Sequence, residues 1–214
     1  MRFYDYRLAP SPRKVRLFIA EKGVDIPAVE VDLRARAQHT PEFLAKNPGG
    51  TVPLLELDDG TCLTESLAIC HYLEQQYPEP NLMGRDAKEQ ALVLMWNDLQ
   101  TFEGYLGLQE ALRNGHEAFK GRALGGPVSY EQIPALAERG KRRAGLYFDK
   151  LEARLRASDF IAGGRYTYAD IVGYVYLGFA GRALGGAASP LDSRPALKAW
   201  HDTISARAAV QRAG

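Results

Sequence analysis

The sequence predicts an α+β fold in two parts: a small mixed sheet covered by helices, then an all-helical domain. Three observations carry this. Strand-like and helix-like stretches alternate through residues 1–80 in the order β-α-β-α-β-β-α. From Asp86 onward the apolar period becomes helical: Leu92, Met95, Leu99, Phe102 and Leu106 recur at steps of 3, 4, 3 and 4, and Ala144, Phe148, Leu151 and Leu155 at 4, 3 and 4. The length, 214 residues with 46% hydrophobic, is enough for one large or two small cores.

Each element has its local reason. Arg2–Tyr6 reads as a short strand, and Pro10-Ser11-Pro12 punctuates before a helix over Arg13–Lys22 that Gly23 stops. Val29–Leu33 alternates apolar and polar residues, as a half-buried strand does. Pro41–Lys46 is a short helix closed by Asn47-Pro48-Gly49-Gly50. Val52–Leu57 and Thr61–Thr64 flank an Asp-Gly turn, which makes a hairpin, and Leu67–Gln76 is a helix ended by Pro78. Tyr77–Arg85, with two prolines and a glycine, is the linker; the domains expected are 1–80 and 86–214. The hexapeptide Gly-Arg-Ala-Leu-Gly-Gly stands at 121–126 and again at 181–186, and both copies read as flexible loops.

Composition narrows the function. Lys plus Arg is 27 and Asp plus Glu is 26, so bulk charge supports neither nucleic-acid nor membrane-surface binding. Apolar runs fall far short of the ~20 residues a membrane helix needs. Residues Met1–Tyr6 have neither a secretory nor a transit-peptide pattern. Cys62 and Cys70 exclude a disulfide scaffold and lack metal-ligand spacing, so no metal is expected. The expectation is a soluble, cytoplasmic protein.

Two segments carry chemistry. A proline entering a strand, Val52-Pro53, is either an edge-strand proline or a cis peptide that leaves the N–H and C=O of Val52 free for an extended peptide ligand. At Thr64-Glu65-Ser66-Leu67, Ser66 either caps the following helix or joins its free N–H groups in holding a carboxylate. Glu65, one residue before, supplies a negative charge for an ammonium, or is a solvated loop acid. Elsewhere, Tyr105, Phe119, Tyr174 and Phe179 either line an apolar pocket or pack the core, and Arg139–Arg143 form a solvated basic helix face.

Pro10–Arg16, Pro41–Pro48, Thr51–Glu56 and Thr64–Ile69, with Phe160–Gly164 and Thr167–Ile171 in the second domain, resemble the cytosolic glutathione transferase superfamily, most closely an atypical fungal and bacterial branch. The resemblance runs from residue 1 to about 210. It implies a thioredoxin-like first domain with Pro53 as its cis-proline, glutathione as cosubstrate, and a homodimer. Val52 would pair with the cysteinyl part of glutathione, and Glu65 and Ser66 would hold the γ-glutamyl ammonium and carboxylate. His39 matches a glycyl-carboxylate position, with Thr51 assisting; His39 read by itself is equally a loop histidine. Thr167 and Asp170 match a structural capping box. The place of the usual thiolate-stabilising residue is Ala9, which has no hydroxyl or thiol. Ser11 is therefore the candidate catalytic group, its other role being to cap the first helix; Tyr4 and Tyr6 are weaker candidates.

The function implied is conjugation of glutathione to a small hydrophobic electrophile, a detoxification chemistry whose electrophile site comes from the helical domain. The alternatives are a glutathione-dependent peroxidase or thiol transferase, and a non-catalytic glutathione-binding or regulatory protein on the same fold. Thiol exchange through the protein needs a cysteine near residues 9–13, where none stands.

Overall fold

The computed structural model describes residues 1–186 and 189–213. Positions 187, 188 and 214 of the expected helical domain lie outside them. The described residues form two compact units. The first takes Met1–Pro80, the loop segment Gly125–Val128 and the last helix; the second takes Asn81–Leu124 and Ser129–Arg207.

The first unit follows the expected order: β1 (Arg2–Asp5), α1 (Pro10–Lys22), β2 (Ala28–Glu30), α2 (Pro41–Lys46), β3 (Leu54–Glu56), β4 (Cys62–Thr64) and α3 (Ser66–Gln76). The sheet order is β2-β1-β3-β4, parallel between β1 and β2 and antiparallel elsewhere. This is the thioredoxin-like arrangement. Tyr4 and Leu54, paired across β1 and β3, join Val31 and Phe43 in one apolar cluster. Phe3 and Leu55, the next pair, point the other way by strand alternation. Val15, Leu17 and Phe18 of α1 and Ile69, Cys70 and Leu73 of α3 are wholly buried. A buried ion pair, Lys22 Nζ to Glu74 at 2.7 Å, ties the end of α1 to α3, and the same ammonium donates to the Pro80 carbonyl at 2.7 Å.

Three local expectations change. The first helix starts at Pro10, with Ala9 as its cap, because prolines in a first turn give up only N–H groups that have no helical partner. The second strand stops at Glu30 and its residues are exposed; it is the sheet edge, and an Asp32 turn, with Oδ1 accepting from Arg34 N–H (2.8 Å) and Ala35 N–H (3.2 Å), breaks it. The chain end leaves the helical domain. Helix α9 (Ala208–Ala213) buries Ala209 and Val210, and Arg16 Nε donates to the Ala213 carbonyl at 3.2 Å, so it belongs with the first unit.

The second unit is helical: α4 (Ala87–Leu99), a π-helical turn at Gln100–Tyr105, α5 (Leu106–Gly115), α6 (Pro134–Arg156), α7 (Tyr168–Ala183) and α8 (Pro195–Ser205). Its interior face is offset by one residue from the sequence stripe, and already so before the π turn begins. The buried side is Val93, Trp96, Gln100, Gly104, Leu108 and Ala111, whereas Met95 and Phe102 of the sequence stripe are exposed. Gln100 fixes the turn: its amide donates to the Ala169 carbonyl (2.9 Å) and accepts from Tyr147 Oη (3.0 Å). The stripe on α6 behaves as expected, with Ala144, Phe148 and Leu151 buried.

Asp170 anchors the entry to α7. Its carboxylate accepts from Thr167 N–H (2.9 Å), Ile161 N–H (2.9 Å) and Trp200 Nε1 (3.0 Å). Burial pushes its carboxyl up to about 6, against the pull of those donors. The two hexapeptide copies part company. Residues 121–126 are loop, but Gly181–Ala183 close α7 and only Leu184–Gly186 turn.

Candidate functional site

The N-termini of α1 and α3 meet in the first unit. Ser66 Oγ donates to the Ser11 carbonyl at 2.9 Å, which joins the two helix starts directly. Neither start is capped by a side chain. In α1 the residues Pro10 and Pro12 have no N–H, and Arg13 N–H bonds the Ala9 carbonyl at 3.3 Å. Ser11 therefore holds the one backbone donor of that first turn without a helical partner. Its hydroxyl also takes no hydrogen bond among the described residues.

This removes the capping role from both serines. Ala9 is the cap of α1, so Ser11, at the second helical position, is free of a capping role. Glu65 is the cap residue of α3, so Ser66 sits at the first helical position and spends its proton on Ser11. What remains for an anion at α3 is its set of first-turn N–H groups at the positive end of the helix dipole. Glu65 itself takes φ +65° and ψ +123°, a backbone state that costs a residue with a side chain about 1–3 kcal/mol. Its carboxylate is exposed and makes no hydrogen bond among the described residues.

The hairpin leads to the same place. Leu54 and Thr64 are the last paired residues of β3 and β4, followed by Pro53 on one strand and Glu65 on the other. The Val52–Pro53 peptide is cis, and the N–H and C=O of Val52 take no partner among the described residues.

Thr51 is held by Asn47, whose Nδ2 donates to its carbonyl (2.8 Å) and hydroxyl (3.2 Å), while Asn47 Oδ1 accepts from Gly49 N–H (3.0 Å). Asn47 is buried and builds the turn that delivers Thr51 to Val52. Sequence reading saw the Asn-Pro-Gly-Gly turn there but not this role; the asparagine's own turn chemistry was the available signal. His39 lies against Gly50: a Cβ there would stand 2.9 Å from its Cδ2. The Nε2 atom of His39 is buried without a hydrogen-bond partner, a state that calls for a ligand atom or water. The loop segment Gly125–Val128, also unforeseen, belongs to this unit, and a Cβ at Gly126 would stand 3.5 Å from the Gly49 carbonyl oxygen.

Of the weaker candidates, Tyr4 is otherwise engaged. Tyr4 Oη donates to Glu56 at 2.7 Å, and Lys46 pairs with the same carboxylate at 2.5 Å. Burial and the Glu56 carboxylate raise the phenol above its ordinary value, so it is poorly placed to stabilise an anion. Cys70 is buried and Cys62 packs beside Tyr4 and Leu54, as expected of structural cysteines. Among the described residues no three His, Cys, Asp or Glu side chains are grouped to hold a metal ion, and no helix is long and apolar enough to cross a membrane.

The family model described as glutathione S-transferase, N-terminal domain, matches residues 3–81, and the one described as glutathione S-transferase, C-terminal domain, matches residues 117–208. Glutathione S-transferase 2 of Saccharomyces cerevisiae is 34% identical over 217 aligned positions, covering 99% of this chain and 88% of that protein. The crystal structure of Gtt2 from Saccharomyces cerevisiae matches with a TM-score of 0.89 at 29% identity, over 100% of both chains. That of a glutathione S-transferase domain-containing protein from Marinobacter aquaeolei VT8 matches with a TM-score of 0.87 at 33% identity, over 98% of this chain and 100% of that one.

Proposed function

Because this chain belongs to the glutathione S-transferase superfamily, we propose that it is itself a glutathione transferase. It binds glutathione, stabilises the thiolate and conjugates it to a small hydrophobic electrophile. The observation that carries this is the junction of two uncapped helix N-termini through Ser66 and Ser11. One terminus serves a carboxylate and the other a thiolate. Glu65 takes the γ-glutamyl ammonium, and the first-turn N–H groups of α3, beginning with that of Ser66, take the carboxylate. Val52, held by Pro53, pairs with the cysteinyl backbone, and His39 with Thr51 takes the glycyl carboxylate.

The energetic task is modest. A thiol of pKa ~8.5 is only a few per cent ionised at pH 7. Lowering it by two units needs about 2.7 kcal/mol of preference for the anion. The hydroxyl and N–H of Ser11, with the α1 dipole behind them, are of that size together. The thiolate then displaces a leaving group from the electrophile, or adds to it, and the thiol proton goes to solvent.

The test is a pH titration of bound glutathione, read by thiolate ultraviolet absorbance, in the native protein and in Ser11→Ala. The native complex should show a thiol pKa well below that of free glutathione, and the variant should lose much of the shift. A shift kept in the variant would move the role to the helix dipole and a held water. Binding without any shift would sink the transferase reading in favour of a non-catalytic glutathione binder.

A further inference from the structure

The second unit carries two guanidinium groups that no acid among the described residues answers. Arg113, in the last turn of α5, donates from Nη1 to the carbonyls of Arg122 (2.9 Å) and Leu124 (3.1 Å). Arg122 donates from Nη2 to the Ala118 carbonyl. Both lie over the ring of Phe119, their Cζ atoms 5.1 and 5.6 Å from its centroid, so no more than about 11 Å separates the charges. All three side chains are half-buried. Among the described residues no carboxylate forms an ion pair with either arginine. Glu110 is taken by Arg139 and Arg143, and Glu117 pairs with Lys120 at 3.9 Å. Burial, and then the Arg122 charge, hold Arg113 below its ordinary value.

The unspent atoms identify the ligand. Nε and Nη2 of Arg113 have no acceptor among the described residues, and that edge of a guanidinium receives a carboxylate through two parallel N–H bonds. The two carbonyls on Nη1 fix the group, so little side-chain freedom is lost when an anion arrives. Tyr105 lies close enough to Arg113 to act on its charge. Its ring stacks on Tyr176 at 5.1 Å and stands 6.3 Å from Phe179. A cationic fork thus borders an aromatic wall within one unit.

We infer that Arg113, with Arg122 beside it, is a subsite for the carboxylate of an aromatic acid, and that aromatic carboxylates are the electrophiles this protein favours over neutral arenes. The second half rests on the transferase reading; the binding half does not. In such a reaction the glutathione thiolate forms the C–S bond, chloride leaves the ring with the C–Cl electron pair, and the thiol proton is lost to solvent.

The matched probes are 4-chloro-3-nitrobenzoate and 4-chloro-3-nitrobenzamide, which share ring and leaving group and differ in charge. Relative to their uncatalysed rates, the native enzyme should prefer the benzoate at least tenfold in kcat/KM. Arg113→Lys, which keeps the charge and loses the fork, should weaken that preference, and Arg113→Gln should abolish it. Arg122→Gln, which leaves the loop anchors of Arg113 in place, should lower it at least threefold. A purely structural arginine would not move this ratio.

Calorimetry without glutathione supplies the independent arm. 3-Nitrobenzoate should bind saturably, at least tenfold tighter than 3-nitrobenzamide, and Arg113→Gln should remove the difference. Equal binding of the two compounds would overturn the inference, as would an Arg113→Gln effect confined to the KM for glutathione. Turnover of neither compound alongside Arg113-dependent benzoate binding would instead sink the transferase reading and leave the subsite standing.

Discussion

Gly50 takes φ +57°, and the His39 imidazole packs so closely that an added Cβ would lie 2.9 Å from Cδ2 and 3.2 Å from Nε2. Both the backbone state and the space exclude a side chain there, so Gly50→Ala should destabilise the protein by about 1–2 kcal/mol in urea unfolding. It should also weaken glutathione measurably in calorimetry, because the displaced atom is the buried, unpartnered Nε2. Unchanged binding would remove His39 from the proposed site. At this scale the sequence told residue types but not their occupations. Ser11 and Ser66 were each legible as either a cap or a site residue, since a serine before an apolar helical run fits both. The facts that remove the capping role are earlier helix starts, by three residues in α1 and one in α3, and a bond across 55 positions that has no local signal. Asn47 and the loop segment Gly125–Val128 escaped for the same reason.

Elements were legible where one local rule acted alone and misread where the surroundings overruled it. The thioredoxin-like order and the α2 boundaries follow from turn chemistry and apolar period. The repeated hexapeptide takes loop form at 121–126 and half-helical form at 181–186, because its second copy continues the buried α7 run. The capping box at Thr167 and Asp170 was legible because its partners are three residues apart, although Trp200 and Ile161 were not foreseen as donors to it. In Asp170→Asn one of those N–H groups would face an amide N–H, and the expected cost is about 3 kcal/mol, read as a fall in Tm. A second element-level device opens α4. Glu89 accepts from Arg165 (2.8 Å) and from Arg85 N–H (2.7 Å), and the Arg165 bond, opposed by partial burial, lowers its carboxyl below the ordinary value. Near pH 4 the folded state then binds fewer protons than the unfolded one, so this contribution is full above the unfolded value and fades as pH falls through the folded one. Glu89→Gln should lose about 1 kcal/mol at pH 7, and the gap to the native protein should close in acid; a constant gap would show that the pair contributes nothing through charge.

For the whole molecule the division into a mixed first unit and a helical second unit was readable from the change of period, but α9 and residues 125–128 crossed it. Short segments have too little sequence to advertise their partners; α9 is placed by three small buried side chains and by Arg16, almost two hundred positions away. The stripe Leu92–Phe102 has the opposite lesson. Its period is that of the helix, yet Val93, Trp96 and the hydrogen-bonded Gln100 take the interior face, one residue on from the stripe. Phe102 is left 61% exposed, with Leu94 and Met95 on the same helix, and Leu146 is 69% exposed. Arg143 bonds the Phe102 carbonyl and Lys150 pairs with Glu103, which sets Leu146, between them on α6, beside that stripe. Exposed apolar side chains gathered this way mark an interaction face, and we propose a second copy of this chain, the homodimer that the sequence resemblance implies, as its occupant. Phe102→Glu should then sediment as a monomer at concentrations where the native protein is a dimer, with its helical content and its glutathione titration retained. A native protein that sediments as a monomer would dismiss the dimer, and a dimer indifferent to Phe102→Glu would put its interface on another face.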